Sequence, residues 1–460
     1  MPDLSRNWAD YGPMTVTCRA LAAALLTGLM MTTTAPAGAA PTPVSRPNIL
    51  LVVLDDAGLG QTDVMTRTQA WLGTTGRDYT HAVATTPSCC PSRSSIFSGR
   101  YVHNTGVTQQ AKIDVYDHDR TLQHELKRAG YATAAAGKLF NGWELAKQPP
   151  YIDHWALQHG GFVKAHFNVD GTDVYPPYST TFTGQKVTGY IDRFEREDDR
   201  RPWFIYAGFV APHSPYTPEP KYAKTPLTWR ANPATREKDR SDKPAYVRKF
   251  KVSGAEGVQT SIAQMRTLLS VDDQMEAIRR RLAATGELDN TVVMFLSDNG
   301  KSLGEHGLPT KFVPYQGSIR VPLQLWWPGR VPAGRDGRLA PLIDVTPTLL
   351  ELAGLTPGYQ VDGRSLLTGA RRDRVLLEYW YDSVNGSYPT WASTYAPGKF
   401  QYIENQQAGG VFREYYDLRR DPWQLTNLLA VRGVAGAPDT GRLAAELARA
   451  RTCAGARDCP

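Results

Sequence analysis

Asn48-Ile49-Leu50-Leu51-Val52-Val53-Leu54-Asp55-Asp56 is the stretch from which the fold can be read. An unbroken aliphatic run leaves neither face of a strand for water, so this strand is expected inside a sheet covered on both faces. Comparable β-rich runs recur at 131–136, 203–209, 291–296 and 323–327, and helical patterns lie among them at 121–129, 185–196 and 258–284. Strands alternating with helices predict an α/β fold with a large central sheet flanked by helices. Polar residues follow several of the strands: Asp55-Asp56, Gly137-Lys138, Pro212-His213 and Asp298-Asn299. Open α/β sheets bind ligands at the carboxyl ends of their strands, so these four sets are expected to converge on one edge.

Outward from this core, the chain of 460 residues is 41% hydrophobic and 21% charged, which argues against disorder and allows two to three domains. Residues 1–40 carry Arg19, an apolar run over 21–31 and Ala37-Gly38-Ala39, the layout of a signal peptide; Met14 offers a second start. The run is short for a membrane span and no later segment looks like one, so a secreted or extracytoplasmic chain without a stable membrane span is expected. The net charge of +7 suits an anionic substrate and equally suits plain solubility, and no nucleic-acid partner is expected.

Of five cysteines, Cys18 leaves with the leader, while Cys453 and Cys459 are close enough in sequence to form a small disulfide in an exported protein. Cys89 and Cys90 are adjacent, and a vicinal bridge is strained, so they ask for another explanation. Residues 214–254 read as a long surface excursion, and its basic part, 230–251, is a solvated loop more often than a glycan contact. Beyond about residue 371 the runs 374–381, 392–404 and 411–418, closed by a helix over 441–451, predict a smaller antiparallel sheet-and-helix domain at 371–460 after a catalytic domain at 46–370.

The chemistry concentrates in Thr86-Pro87-Ser88-Cys89-Cys90-Pro91-Ser92-Arg93-Ser94-Ser95-Ile96-Phe97-Ser98-Gly99-Arg100. Pro91 suits the first position of a helix, which would set Cys89 just before an N-terminus whose unpaired N–H groups favour anions. Taken by themselves, two cysteines here are also compatible with small buried hydrophobes. The segment resembles the sulfatase signature, Cys-x-Pro-Ser-Arg followed by a small residue and glycine. Its continuation, Tyr101-Val102-His103-Asn104, is similar to the N-acetylglucosamine-6-sulfatase and heparan-sulfate endosulfatase branch. The resemblance runs from about residue 46 to about residue 429. It implies an alkaline-phosphatase-like sandwich, and it implies that Cys89, not Cys90, is oxidised by a formylglycine-generating enzyme to formylglycine (3-oxoalanine). The hydrated aldehyde of that residue attacks the sulfur of the ester.

Paired carboxylates ending a buried strand are costly without a counter-charge, though an Asp-Asp pair alone is often only a cap or solvated. A cation answers that cost at Asp55 and Asp56, and hard oxygen ligands favour Ca²⁺, with Mg²⁺ as the alternative. The resemblance adds Asp298, Asn299 and Cys89 to the metal set. It also assigns Arg93, Lys138, His213 and Lys311 to the sulfuryl group, with His213 and Lys311 placed to protonate the leaving alcohol. The chain departs from the common family pattern at Gly137-Lys138-Leu139-Phe140-Asn141, where many members have histidine two residues after the lysine. Asn141 is assigned a hydrogen bond to substrate, and His306 either deprotonation of the sulfated intermediate so that sulfate leaves, or substrate contact, or a structural role. The expected substrate is a sulfated carbohydrate or a small sulfate ester such as an aryl sulfate. The rivals are a phosphonate monoester or phosphodiester hydrolase sharing the same nucleophile, and a non-catalytic glycan binder if Cys89 stays a thiol.

Overall fold

In the computed structural model of the chain, residues 46–369, 371–430 and 438–460 are described, so the leader expected at 1–40 and Cys18 lie outside them. The strands are β1 (Asn48–Leu54), β2 (Arg77–Val83), β3 (Ala132–Lys138), β4 (His154–Gln158), β5 (Phe167–Val169), β6 (Thr172–Val174), β7 (Trp203–Gly208), β8 (Thr291–Ser297), β9 (Leu323–Trp326) and β10 (Gly334–Pro341). They form one mixed sheet in the order β10-β2-β9-β8-β1-β7-β3-β4-β5-β6. β1 sits near the centre, parallel to β7 on one side and to β8 on the other.

Every residue of β1 is buried, as its unbroken apolar run requires. Ile49, Leu51 and Val53 join a core with Phe97 and Leu349 on one face; Leu50, Val52 and Leu54 pack on the other with Ile191, Leu268 and Val271. The period-2 alternation of a strand thus supplies both layers, each fully buried aliphatic side chain contributing about 1.5–3 kcal/mol. The second layer is built by the helices Ser179–Asp198 and Gly254–Thr285, the latter opened by a capping box between Ser253 and Glu256.

The five β-rich runs of the sequence form β1, β3, β7, β8 and β9, each within two residues of its expected place. β2, β4, β5, β6 and β10 are additional strands, whose polar or short sequences lack a clean period. The signature helix spans Cys89–Ser98 with Ser88 as its N-cap, so Pro91 is its third residue, not its first, and Cys89 lies inside the first turn. Proline is tolerated there because N–H groups of the first turn have no partner within the helix.

The carboxyl-terminal part carries a second, antiparallel sheet in the order β11 (Val375–Tyr379), β12 (Trp391–Ala396), β13 (Phe400–Gln407) and β14 (Gly410–Tyr416), followed by the helix Thr440–Ala450. The run 392–404, expected as one strand, is a hairpin: Pro397 and Gly398, the latter at φ 61°, break it between β12 and β13. One apolar cluster joins Leu377, Trp391 and Tyr402 of this sheet to Val83, Tyr315 and Ile343 of the larger part. Cys453 and Cys459 form the expected disulfide, and Cys89 and Cys90 are free and buried. No helix among the described residues is long and apolar enough to cross a membrane.

Candidate active site

Register places the site. Leu54 of β1 lies opposite Ser297 of β8, and Val53 opposite Gly208 of β7, so Asp55, Asp298 and the segment after β7 emerge together at one edge. β3 delivers Lys138 to the same edge through Gly137, paired with Gly208. Gly137 stands at φ 89°, and a Cβ there would fall 2.0 Å from the Gly208 carbonyl oxygen, so no other residue fits the approach. The helix Cys89–Ser98 points its first turn at this edge, with Cys89 Sγ 3.1 Å from Asp55 Oδ1 and 3.9 Å from Asp56 Oδ1. Ligand atoms of Asp55, Asp56, Cys89 and His213 all lie within 4.8 Å of one another.

The carboxylates Asp55, Asp56 and Asp298 are buried together with the cations Arg93, Lys138 and Lys311, so neither sign is left uncompensated. Lys138 Nζ donates to Asp55 Oδ2 at 2.5 Å; Lys311 Nζ donates to Asp56 Oδ1 and lies 2.5 Å from Cys89 Sγ. Arg93 donates from Nε to Asp298 Oδ2 at 2.8 Å and has Nη2 3.7 Å from Asp55 Oδ2. His213 Nε2 is 3.8 Å from Asp56 Oδ2, and its Nδ1 is 2.9 Å from the Ser214 carbonyl oxygen. A carbonyl only accepts, so Nδ1 carries the hydrogen and Nε2 is left facing the cluster.

Burial by itself would raise the Asp55 carboxyl, but Lys138, His213, Arg93 and Lys311 outweigh it and hold that group well below the ordinary carboxylate range. Asp298 goes the other way: burial, against the pull of Arg93 and with the repulsion of Asp55, raises it. Burial and the neighbouring Asp55 push the Cys89 thiol up, against the pull of Lys138 and Lys311.

Asn299 donates from Nδ2 to Asp56 Oδ1 at 2.6 Å, while its Oδ1 is buried without a partner. An orphaned amide oxygen beside the oxygens of Asp55, Asp56 and Asp298 is a hard donor set, and it fits a divalent cation of the Ca²⁺ or Mg²⁺ kind.

The expected residues do not all behave alike. Asp55, Asp56, Cys89, Arg93, Lys138, His213, Asp298, Asn299 and Lys311 meet at the strand ends. Asn141 lies beside them, donating from Nδ2 to Gln110 Oε1 at 3.1 Å. His306 is buried against Tyr315 and paired with Glu237 at 2.8 Å.

Sequence reasoning missed Tyr206, whose hydroxyl accepts from Arg93 at 2.8 Å, and Gln264, which donates to the Pro212 carbonyl at 3.2 Å and braces the His213 loop. It also missed Gln110, which accepts from the Cys90 N–H at 3.0 Å. Gln264 had a signal: Ser261, Gln264, Leu268 and Val271 share one buried helical stripe, so a polar side chain there needed a buried partner. Tyr206 and Gln110 had none, since both act through contacts distant in sequence.

Comparison with known proteins agrees with this geometry. The Sulfatase family model matches residues 47–355, and the model for the C-terminal region of N-sulphoglucosamine sulphohydrolase matches 304–450. The chain is 31% identical to human N-acetylglucosamine-6-sulfatase over 83% of its own length and 81% of that protein's. It is 29% identical to the Drosophila melanogaster extracellular sulfatase SULF-1 homolog over 74% of its length, but spans only 32% of that protein. A solved structure described as a complex with its substrate D-glucosamine-2-N,6-O-disulfate shares the fold, with a TM-score of 0.77 at 21% identity over 88% of this chain and 97% of that one. With the signature cysteine at a helix N-terminus, the buried acidic set at the strand ends and a family model covering most of the chain, this protein belongs to the sulfatase family.

Proposed function

We propose that the chain hydrolyses sulfate esters of a sulfated carbohydrate, with position 89 as formylglycine and a divalent cation, Ca²⁺ by preference, held by Asp55, Asp56, Asp298 and Asn299. The carrying observation is the buried, charge-balanced cluster around Cys89 at the first turn of its helix. Formylglycine, when present, supplies a hydrate hydroxyl as nucleophile and a second hydroxyl through which sulfate can leave; the cation supplies electrophilic stabilisation of the sulfuryl oxygens. The remaining roles belong to the chain. Arg93, Lys138 and Lys311 bring positive charge to the sulfuryl group, and a divalent cation added to an already balanced set favours an anionic ester as the partner that offsets it. In its imidazolium form, with Nδ1–H committed to the Ser214 carbonyl, His213 gives its Nε2 proton to the leaving alcohol and returns to the neutral ring. Asn141 binds substrate by hydrogen bonding, and no histidine stands where Phe140 does.

The relatives named for N-acetylglucosamine-6-sulfatase and extracellular sulfatase activity support a sulfated glucosamine-type glycan as substrate. Export through the leader at 1–40, maturation by a formylglycine-generating enzyme, and division into a catalytic domain at 46–370 and a smaller one at 371–460 belong to the same proposal. The test is mass spectrometry of the peptide 86–93 from the native host, combined with turnover of matched sulfate, phosphate and phosphonate esters. Formylglycine at position 89, faster turnover of sulfate, and loss on chelation restored best by Ca²⁺ are expected. An unmodified thiol in host-purified protein, or faster turnover of the phosphonate, would overturn the proposal.

A further inference from the structure

Beside the strand ends lies a cavity of about 420 Å³ to which the proposed reaction assigns nothing. Its walls come from distant parts of the chain: the loop after β1, Trp229 and Arg230 of the surface excursion, Lys301 just beyond Asn299, Arg320, and Trp423 beyond β14. Lys301 is only 8% exposed and makes no direct hydrogen bond or ion pair among the described residues, although the carboxylate of Asp56 acts on it from a distance. Arg320 donates from Nη2 to the Thr80 carbonyl at 2.5 Å, but its Nε is buried without a partner, and no carboxylate pairs with it among the described residues. Glu305 lines the same cavity without touching either cation: its Oε1 accepts from Asn232 Nδ2 at 2.9 Å and its Oε2 from the Leu303 N–H. Around this cavity the cations Arg230, Lys301 and Arg320 outnumber the single carboxylate of Glu305, and Lys301 and Arg320 have no carboxylate in contact with them, which points to an anion from outside.

The other walls say what carries that anion. Trp423 is 37% exposed at the rim, and Trp229 covers Gly60, where a Cβ would sit 3.8 Å from the indole ring. Indole faces beside charged donors suit a flat, hydroxylated body with an ionic substituent better than a bare inorganic ion. We propose that this cavity is a subsite for a pyranose bearing a carboxylate or sulfate, with Lys301 and Arg320 pairing the anion and the two tryptophans flanking the ring. The occupant's identity as part of a longer anionic glycan rests on the function proposed above. On that basis the enzyme reads a second charged group near the one it removes.

The test is calorimetric titration of the full chain with probes that cannot be turned over: an unsulfated tetrasaccharide of alternating glucuronate and N-acetylglucosamine, a neutral N-acetylglucosamine tetrasaccharide, and inorganic sulfate. The uronate probe is expected to bind about tenfold tighter than the neutral one, and Lys301→Met or Arg320→Gln to remove that advantage, as the loss of a charge-assisted hydrogen bond requires. Lys301→Arg restores it. If Lys301→Met does not fold, Trp423→Ala at the rim serves instead, and is expected to weaken the uronate probe several-fold while retaining sulfate binding. Equal affinity of wild type and variants for the uronate probe would overturn the subsite. Inorganic sulfate accounting for all of the Lys301-dependent binding would overturn its sugar character in favour of a free-anion site. Because no probe carries a sulfate ester, failure of the proposed hydrolysis leaves this titration interpretable.

Discussion

The two ends of the central strands carry two acidic clusters that differ in their company. At the carboxyl ends, Asp55 and Asp56 meet Lys138, Lys311, Arg93 and His213. At the amino ends, near Asn48 of β1 and Trp203 of β7, ligand oxygens of Glu195, Asp199 and Glu287 also approach within 4.8 Å of one another. Their polar neighbours are neutral: Trp203 Nε1 donates to Glu195 Oε1 and Asn48 Nδ2 to Glu287 Oε2, both at 2.8 Å, and no ion pair reaches the three among the described residues. The consequence is opposite protonation behaviour. Asp55 is held far below the ordinary carboxylate range, whereas burial, with help from Glu287 and Asp199, raises Glu195 to about 7. Clustered carboxylates therefore do not make a reactive site by themselves; the cations set around them decide whether the charge is kept.

Cys89→Ala tests the compensated end most severely, and hydrolysis of any sulfate ester is expected to fall roughly 10⁴-fold or more, as for loss of a covalent nucleophile. Retained turnover in that variant would remove the nucleophile from the active end. Next in size, Asp55→Asn leaves Lys138 and Arg93 facing each other without their shared carboxylate, and a loss of about 3–5 kcal/mol in denaturant unfolding is expected. A stability equal to wild type would mean that the carboxylate is not the counter-charge described.

The opposite end should respond through pH. A raised folded-state value means that Glu195 contributes stability below its ordinary value near 4.5, and that this contribution disappears as pH rises through about 7. Glu195→Gln keeps the bond from Trp203 and has no such loss. The variant should gain about 1 kcal/mol on wild type between pH 5 and 8, a figure reduced for solvent screening of a partly exposed group. Parallel stability curves for the two proteins would show that the amino-end cluster is already compensated. Smallest of all, Asp199→Asn is expected to change sulfate-ester turnover by less than about twofold, since it lies at the wrong end of the strands. A large loss there would erase the distinction between the two ends.

Much of the site is legible in the sequence. The run 48–54 requires a strand buried on both faces, and the Asp55-Asp56 pair at its end shares an edge with Lys138, His213 and Asp298-Asn299 because parallel neighbours end in register. The signature around Cys89 marks the position of the proposed nucleophile because a helix N-terminus and its flanking residues are local features. Strand β10, with much of its length facing water, and β2, with mixed polarity, offer no usable period. The break at Pro397 and Gly398 is a different kind of miss, since turn chemistry makes it readable even though 392–404 passes for a single run.

Sequence alone determined the buried strands, the polar residues at their ends and the signature helix, because periodicity, turn residues and motif spacing act over a few positions. Tertiary structure alone decided which cation faces which carboxylate, that His306 turns to Glu237 and not to the cluster, and that Lys301, Arg320, Trp229 and Trp423 share one cavity. Those pairings join residues tens to hundreds of positions apart, and burial, which sets their electrostatic strength, exists only once the layers have closed.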